Sequence, residues 1–203
     1  SNCVEVGMRP TLEDGRTGFS MCNLVEINGA KSHTKEIFLH QCKVASIMAT
    51  LQAGYTDFAY LKDASEEIIK KEALIGVGIT GIMNSPDILL DEEILKEGAE
   101  VVKYWNKITA KLININPATR STVIKPSGNS SVLLGSSSGI HPEHSEKYFR
   151  LMQLNKENNT AKWLNKNMPF LLEESIWSTT NSDYCVFITI ENPKDGLFKK
   201  DVK

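Results

Sequence analysis

Short apolar segments alternate with long helical segments through the first two thirds of this chain. The predicted strands lie at residues 20–28, 75–83 and 121–125, and the predicted helices lie at residues 35–53, 65–73 and 90–113. A strand that is followed by a helix and a second strand forms a βαβ unit, in which the two strands run parallel. The sequence therefore predicts an α/β fold built on a parallel sheet.

Two of the predicted helices carry an apolar stripe. In the segment 90–113 the stripe steps by four and three residues through Ile94, Gly98, Val101, Trp105, Ile108 and Leu112. In the segment 35–53 it runs through Ile37, Phe38, Val44, Ile47, Met48 and Leu51. We expect both stripes to face the core. Asp91, Glu92 and Glu93 stand where a helix dipole favours acidic side chains, so we interpret them as a helix cap and a solvated face.

Beyond residue 150 the periodicity weakens. The remaining sequence predicts a polar helix at residues 156–166 and a strand at residues 184–191. No internal repeat or low-complexity segment occurs in the chain. We therefore expect this part to be a smaller extension of the fold.

Composition excludes several classes of protein. The chain has 203 residues, 41% of them apolar, and a net charge of −2 with both signs interspersed, so no basic face predicts nucleic-acid binding. It has neither an apolar run of membrane-spanning length nor the pattern of a signal peptide. Its four cysteines, at positions 3, 22, 42 and 185, lack CxxC spacing, which favours reduced thiols over a disulfide framework. We expect a cytoplasmic protein that does not bind a membrane.

A loop of small residues follows the third predicted strand. It contains Pro126, Ser127, Gly128, Asn129, Ser130 and Ser131, and the apolar run 132–134 comes directly after it. Backbone N–H groups at the start of a helix, with hydroxyl groups beside them, form a suitable site for phosphate oxygens. An ordinary Pro-Ser-Gly turn would have the same composition. The placement between a strand and a helix favours the phosphate site.

Cysteine and glutamate stand close together at the start of the chain. Cys3 and Glu5 are two residues apart, so on an extended strand their side chains project to the same side. A thiol that acts as a nucleophile or radical carrier and a carboxylate that acts as a base would then face one pocket. The alternative is a buried cysteine beside a surface glutamate. Cys42 and Cys185 lie within apolar segments, and we expect both in the core.

Two other patterns resemble known sites. Residues 76–81 match GxGxxG, but Asn84, Ser85 and Pro86 follow instead of a helix start, which argues against a dinucleotide-binding fold. His141 and His144 have the spacing of metal ligands. No third ligand stands at a recognisable spacing from them, so we expect no metal site.

Six segments stand in a fixed order along nearly the whole chain. They are Cys3-Val4-Glu5, Phe19-Ser20-Met21-Cys22-Asn23-Leu24, residues 75–83, Asn116-Pro117-Ala118-Thr119-Arg120, residues 123–128 and Gly139-Ile140-His141-Pro142. This ordered set resembles the catalytic barrel of ribonucleotide reductases, most closely the adenosylcobalamin-dependent (class II) ribonucleoside triphosphate reductases. The resemblance implies the second half of a ten-stranded α/β barrel at residues 1–150, with residues 151–203 as a peripheral extension.

The resemblance also implies roles for individual residues. Cys3 would carry a thiyl radical and remove the 3′ hydrogen of the ribose, and Glu5 would act as the base on the 3′ hydroxyl. Cys22 would be one of two cysteines that reduce the 2′ position, with its partner in the missing N-terminal half-barrel. Residues 126–131 would hold the phosphates of a ribonucleoside triphosphate. Adenosylcobalamin would be the cofactor, and a thioredoxin-like protein or another dithiol would restore the thiols.

Several alternatives to a class II reductase remain open from the sequence. The chain resembles, less closely, the large subunit of an iron-dependent (class I) reductase, which receives its radical from a partner protein. It is also compatible with a non-catalytic split or truncated half-barrel that associates with its complement. The family has Asn two residues before the radical cysteine, whereas Ser1 stands there and Asn2 follows. An intein junction, a split gene or an artificial boundary would each explain this start.

Overall fold

The computed structural model describes residues 6–61, 63–192 and 196–202. Cys3 and Glu5 therefore lie outside the described residues. The chain divides into two compact units, one formed by residues 6–143 with 196–202 and the other by residues 144–192. Within the described part of the chain, no helix combines the length and the apolar content that crossing a bilayer requires.

A parallel sheet organises the first unit. Strand β1 (Asn23–Asn28) pairs with strand β2 (Ile75–Thr80) in a register that joins Asn23 to Ile75 and Asn28 to Thr80. The α/β class predicted from the sequence is confirmed. The predicted strand at 121–125 is wrong as a regular strand, since the structure has only a parallel bridge between Thr122 and Val77 there. The Val77 N–H still donates to the Ser121 carbonyl over 2.9 Å, so this segment continues the sheet.

Five helices belong to the described residues of this unit. They are α1 (Lys35–Ala53), α2 (Asp63–Glu72), α3 (Pro86–Leu89), α4 (Glu92–Leu112) and α5 (Asn129–Leu134), with short 3-10 turns at Gly29–Lys31 and Ile82–Asn84. Thr34 caps α1 by accepting the Ile37 N–H. Asp91 caps α4 by accepting the N–H groups of Glu93 and Ile94 over 2.9 and 3.0 Å, which confirms the predicted helix cap.

The apolar stripe predicted for α1 is largely wrong. Of its members Phe38 is buried, but Ile37, Val44, Met48 and Leu51 are exposed. The buried face is instead lined by Phe38, Cys42, Ala45, Ala49 and Ala53. Small side chains bring α1 close to α4, where a Cβ atom on Gly98 would stand 2.7 Å from the Phe38 ring. The stripe predicted for α4 is also displaced, because Gly98 is buried but Leu112 is 79% exposed.

Polar side chains tie the two long helices together inside the core. Ser46 of α1 donates to the Val102 carbonyl of α4 over 2.7 Å. Asn106 of α4 donates to the Thr50 hydroxyl and accepts the Ala118 N–H, both over 2.9 Å. Asn106 thus fixes the chain just before it joins the sheet beside β2.

The second unit is an antiparallel sheet with one helix. Strand β3 (Lys147–Asn155), helix α6 (Asn159–Asn167), a 3-10 turn (Pro169–Leu171), strand β4 (Leu172–Glu174) and strand β5 (Asp183–Glu191) follow in order. The strands lie in the order β3-β5-β4. The helix and the last strand were predicted within a few residues of these bounds. β3 was missed because apolar residues such as Phe149 and Met152 occur on both of its faces, which removes the alternation typical of a strand.

Candidate functional site

The parallel sheet has one face covered by helices and one that carries the candidate residues. Val25 and Ile27 of β1 pack into the core with α1. Because side chains alternate along a strand, their neighbours project to the other face. Pair by pair in register, that face carries Leu24 with Gly76, Glu26 with Gly78, and Asn28 with Thr80. We call these six residues the glycine face.

Cys22 lies at the start of the glycine face. Its Sγ atom stands 3.1 Å from the position that a Cβ atom on Gly76 would occupy, and a methyl group of Val123 stands at the same distance. Only a glycine at position 76 leaves room for the thiol, the Leu24 side chain and Val123 together. Cys22 is partly buried. Its thiol is thus held over the sheet by close packing.

The two other described cysteines have a different environment. Cys42 and Cys185 are 2% and 4% exposed, which confirms their predicted place in the core. Burial raises the pKa of the Cys42 thiol to about 12. A thiol with that pKa forms almost no thiolate at neutral pH, so Cys42 is unsuited to thiol chemistry.

The predicted phosphate-binding segment forms a loop that leads into α5. We call Pro126, Ser127, Gly128, Asn129, Ser130 and Ser131 the serine loop. Gly128 is the residue before the helix, and no atom outside its immediate neighbours lies within 4 Å of where its Cβ would be. Gly128 and Asn129 are exposed, whereas Ser127 and Ser131 are buried. The accessible part of the loop is therefore mostly backbone.

Glu26 of the glycine face accepts hydrogen bonds from two hydroxyl groups of this loop. Ser130 donates a short hydrogen bond to its Oε2 atom, and Ser127 lies 3.2 Å from the same atom. The two hydroxyl oxygens are 2.9 Å apart. The Ser131 hydroxyl bonds instead to the Gly128 carbonyl over 2.7 Å. The serine loop is thus docked on β1 through a carboxylate.

A second small-residue loop holds the serine loop against the ends of the strands. The Thr80 hydroxyl donates to the Ser137 carbonyl over 2.9 Å and accepts the Gly139 N–H over 3.0 Å. Ser138 donates to the Ser127 carbonyl. Gly139 has a φ of +55°, and a Cβ atom there would stand 3.0 Å from the Lys125 carbonyl oxygen. A glycine is required for both reasons.

The thiol and the serine loop lie at opposite ends of one face. Cys22 and Glu26 are four residues apart along an extended segment, which corresponds to about 13 Å. The structure brings Cys22, Glu26 and the serine loop onto this face. Cys42 lies instead in the core of the first unit, Cys185 belongs to the second unit, and Cys3 and Glu5 lie outside the described residues. Within the described ranges, no group of three or more His, Cys, Asp or Glu side chains is placed to hold a metal ion.

Glu26 is a residue of the candidate site that was not predicted from the sequence. The available signal was its position, because Cys22, Leu24 and Glu26 alternate on one side of a strand. A glutamate in an apolar strand is uncommon unless it has a partner. The serines that are its partners lie about a hundred residues further along the chain, so the sequence alone does not reveal the pairing.

No protein-family model matches the chain. Among curated proteins, a probable adenosylcobalamin-dependent ribonucleoside-triphosphate reductase of Dictyostelium discoideum is 28% identical over 166 residues, covering 76% of this chain and 20% of that protein. Adenosylcobalamin-dependent ribonucleoside-triphosphate reductases of Euglena gracilis and Lactobacillus acidophilus are 26% and 27% identical, covering 75% and 66% of this chain and 21% and 23% of theirs. The chain thus spans about a fifth of the length of these relatives.

Among solved structures, a B12-dependent (class II) ribonucleotide reductase superposes with a TM-score of 0.65. The match covers 88% of this chain and 29% of that chain, with 19% sequence identity. At this identity the likeness shows a shared fold. The resemblance first seen in the ordered sequence segments is confirmed by both comparisons.

Proposed function

Because this chain is homologous to part of the adenosylcobalamin-dependent ribonucleoside-triphosphate reductases, we propose that it is a segment of the catalytic part of such an enzyme. In the complete enzyme it would take part in reducing ribonucleoside triphosphates to 2′-deoxyribonucleotides. In this reaction the 2′ hydroxyl leaves as water and a C2′–H bond replaces the C2′–O bond. Two thiols supply the electrons and become a disulfide, which an external dithiol such as a thioredoxin-like protein then reduces.

The observation that carries this proposal is the layout of the glycine face. A partly buried thiol stands at one end and a loop suited to phosphate stands at the other, about 13 Å away along the strand. A nucleotide presents a ribose and a phosphate chain at a comparable separation. Between the two ends, Leu24 and Val123 pack over Gly76, and Val123 and Lys125 lie over Gly78.

In this proposal Cys22 is one of the two reducing cysteines. Its position over Gly76 gives the thiol a fixed orientation and leaves it partly accessible. Cys3 as the radical carrier and Glu5 as the base on the 3′ hydroxyl remain proposals that rest on the sequence resemblance. The cysteine that pairs with Cys22 is expected in another segment of the enzyme.

The serine loop is proposed to bind the substrate phosphates. Its exposed backbone at Gly128 and Asn129 offers N–H donors, and its position at the ends of parallel strands suits an anionic ligand. Pro126 ends the sheet segment before the loop, because proline lacks the N–H that a further pairing would need. Ser130 is the partly accessible hydroxyl among the serines.

Adenosylcobalamin is proposed as the cofactor of the complete enzyme, on the names of the relatives. When bound, it would supply the radical that begins the reduction. Among the described residues, no side-chain cluster marks a site for its cobalt, so the proposal assigns it no residue of this chain.

We also propose that the first unit belongs to the second half of a ten-stranded barrel. The segment beside β2 ends the described sheet with Ile124 77% exposed, so a further strand has room to pair there. Residues 1–150 would form the barrel portion, and residues 151–203 would form its peripheral extension. The partner would be the N-terminal half-barrel.

A reconstitution assay tests the function. The chain is combined with the reductase segments that it lacks, adenosylcobalamin, dithiothreitol and a ribonucleoside triphosphate, and we call this mixture the assembled enzyme. We expect deoxyribonucleotide formation from the assembled enzyme and none from the chain alone. An assembled enzyme that forms no product, or whose remaining segments form as much product without this chain, would contradict the proposal.

A further inference from the structure

The carboxylate of Glu26 accepts hydrogen bonds from hydroxyl groups of the serine loop, which is proposed to hold phosphate. Resting on that proposed phosphate role, we propose that Glu26 limits the phosphate charge that the serine loop accepts. It would hold Ser130 and Ser127 while the loop is empty, and it would oppose each negative charge that a nucleotide brings. Glu26 is thus a specificity-determining residue for the number of phosphates on the substrate.

Glu26 and a phosphate would compete for the protons of the serine hydroxyl groups. Ser130 donates a short hydrogen bond to Oε2 of Glu26, and Ser127 approaches the same atom at 3.2 Å. A serine hydroxyl has a single proton to donate. While Ser130 donates to Glu26, it has no proton for a phosphate oxygen. A phosphate that uses this hydroxyl must therefore take it from the carboxylate.

The negative charge of Glu26 would also repel a phosphate bound on the loop. The Glu26 carboxylate is within hydrogen-bond distance of the loop, so a phosphate on the loop would stand a few ångströms from a second negative group. Near a protein surface, repulsion at such distances amounts to a tenfold or larger change in affinity. Lys125 lies on the same side of the sheet, with its Cβ 3.7 Å from where a Cβ on Gly78 would be.

Glu26 is also an unfavourable residue for the fold at this position. The Oε1 atom of Glu26 is buried and, among the described residues, accepts no hydrogen bond. A buried carboxylate oxygen without a donor destabilises the fold. A glutamine at the same place would carry no charge and could still accept from Ser130. The fold therefore keeps a buried carboxylate oxygen without a donor at this position, which indicates that the residue acts on a ligand.

Calorimetric titration of the 203-residue chain tests the inference. The probes are one nucleoside and its mono-, di- and triphosphates, first without divalent cations and then with Mg²⁺. Glu26→Gln should bind the triphosphate about tenfold or more tightly than wild type, with a smaller gain for the monophosphate and none for the nucleoside. Glu26→Thr, a second neutral variant that suits a strand, should show the same gradient. Glu26→Asp keeps the charge and should show a much smaller gain.

Glu72→Gln is the matched control. Glu72 also accepts a serine hydroxyl, from Ser20 over 3.2 Å, but it ends α2 just before β2 begins, at the opposite end of the sheet from the serine loop. It should bind all four probes as wild type does. The inference would be overturned if the neutral Glu26 variants bind the triphosphate no more tightly than wild type does. It would also be overturned if, in the presence of Mg²⁺, these variants bind the triphosphate more weakly than wild type does.

The two proposals fail in different ways. The phosphate role stands if the wild-type affinity rises with the number of phosphates and if Gly128→Val weakens triphosphate binding. In that case, if the affinity of Glu26→Gln depends on the number of phosphates as wild type does, only the role of Glu26 is overturned. If wild-type affinity is independent of phosphate number, the phosphate role fails and the Glu26 role fails with it.

Discussion

The thiol of Cys22 lies against the backbone of Gly76, with its Sγ atom 3.1 Å from the place where a Cβ atom would be. A single methyl group at position 76 would therefore contact the thiol. The same methyl group would stand 2.5 Å from a methyl carbon of Leu24 and 3.1 Å from one of Val123. The orientation of the proposed reducing thiol depends on the absence of a side chain on the neighbouring strand.

Gly76→Ala should destabilise the fold and displace Cys22. We expect a loss of about 1–3 kcal/mol in the free energy of unfolding, because three packed groups must move to admit the methyl group. Urea denaturation measures the loss, and the rate of Cys22 alkylation reports the displacement. The matched control is Gly78→Ala on the same face, where a Cβ would meet its nearest atoms at an ordinary 3.5 Å. Equal stability of the two variants would contradict this account.

Gly128→Val should weaken nucleotide binding far more than it changes folding. A Cβ at Gly128 meets nothing within 4 Å, so the packing can accept a side chain, and the φ of −108° with a ψ of −97° adds a local backbone strain that glycine avoids. The same side chain would cover backbone N–H groups proposed to face the phosphates. We expect about tenfold weaker triphosphate binding by calorimetry, with a thermal midpoint lowered by only a few degrees, so that the variant is folded at the temperature of the titration. Wild-type affinity in a folded variant would remove the phosphate role.

Asn106→Leu should cost about 2–3 kcal/mol of stability, because it leaves the partly buried Ala118 N–H without its acceptor and removes the donor to the buried Thr50 hydroxyl. Denaturant unfolding measures the change. Asn116→Leu is the control, since Asn116 is exposed and its amide donates only to the Lys70 carbonyl. That variant should remain within about 1 kcal/mol of wild type. Similar costs at the two positions would show that burial does not decide the effect.

Cys42 should make stability fall at alkaline pH. Burial raises its pKa from 9.0 to about 12 in the folded chain, so between these values the unfolded chain releases a proton that the folded chain retains. Unfolding is therefore favoured as the pH rises through this range, and the contribution is fully present only below about pH 9. Urea unfolding at pH 8 to 10.5 should show a steeper decline for wild type than for Cys42→Ala. Parallel declines would mean that Cys42 titrates normally.

Local signals in the sequence predicted much of the first unit. The bounds of α1 were predicted correctly, and the cap of α4 at Asp91 was recognised because capping depends on residues within one turn. Phe38 and Cys42 of the buried face of α1 were predicted, but Ala49 and Ala53 were not, because small side chains give a weaker sequence signal than larger residues such as Met48. Their burial follows from the close approach of α4 at Gly98, which is a tertiary effect.

The candidate site was predicted in its parts and not in its connections. The serine loop and Cys22 stood out by composition and resemblance. Glu26 did not, because its partners Ser127 and Ser130 come from a distant part of the chain. Which side chains share a face at this site is set by the pairing of β1 with β2, and that pairing is a property of the folded sheet.

The most direct test of the central claim compares two cysteine variants in the assembled enzyme. Cys22→Ser removes the thiol of the glycine face, while Cys42→Ser removes a buried thiol of similar size that lies among helices. The measurement is the deoxyribonucleotide formed in a single turnover, with folding of each variant checked by circular dichroism. We predict that Cys22→Ser forms no product and that Cys42→Ser forms about one equivalent, as wild type does. Product formation by Cys22→Ser at the wild-type level would contradict the assignment of this chain's thiol to ribonucleotide reduction.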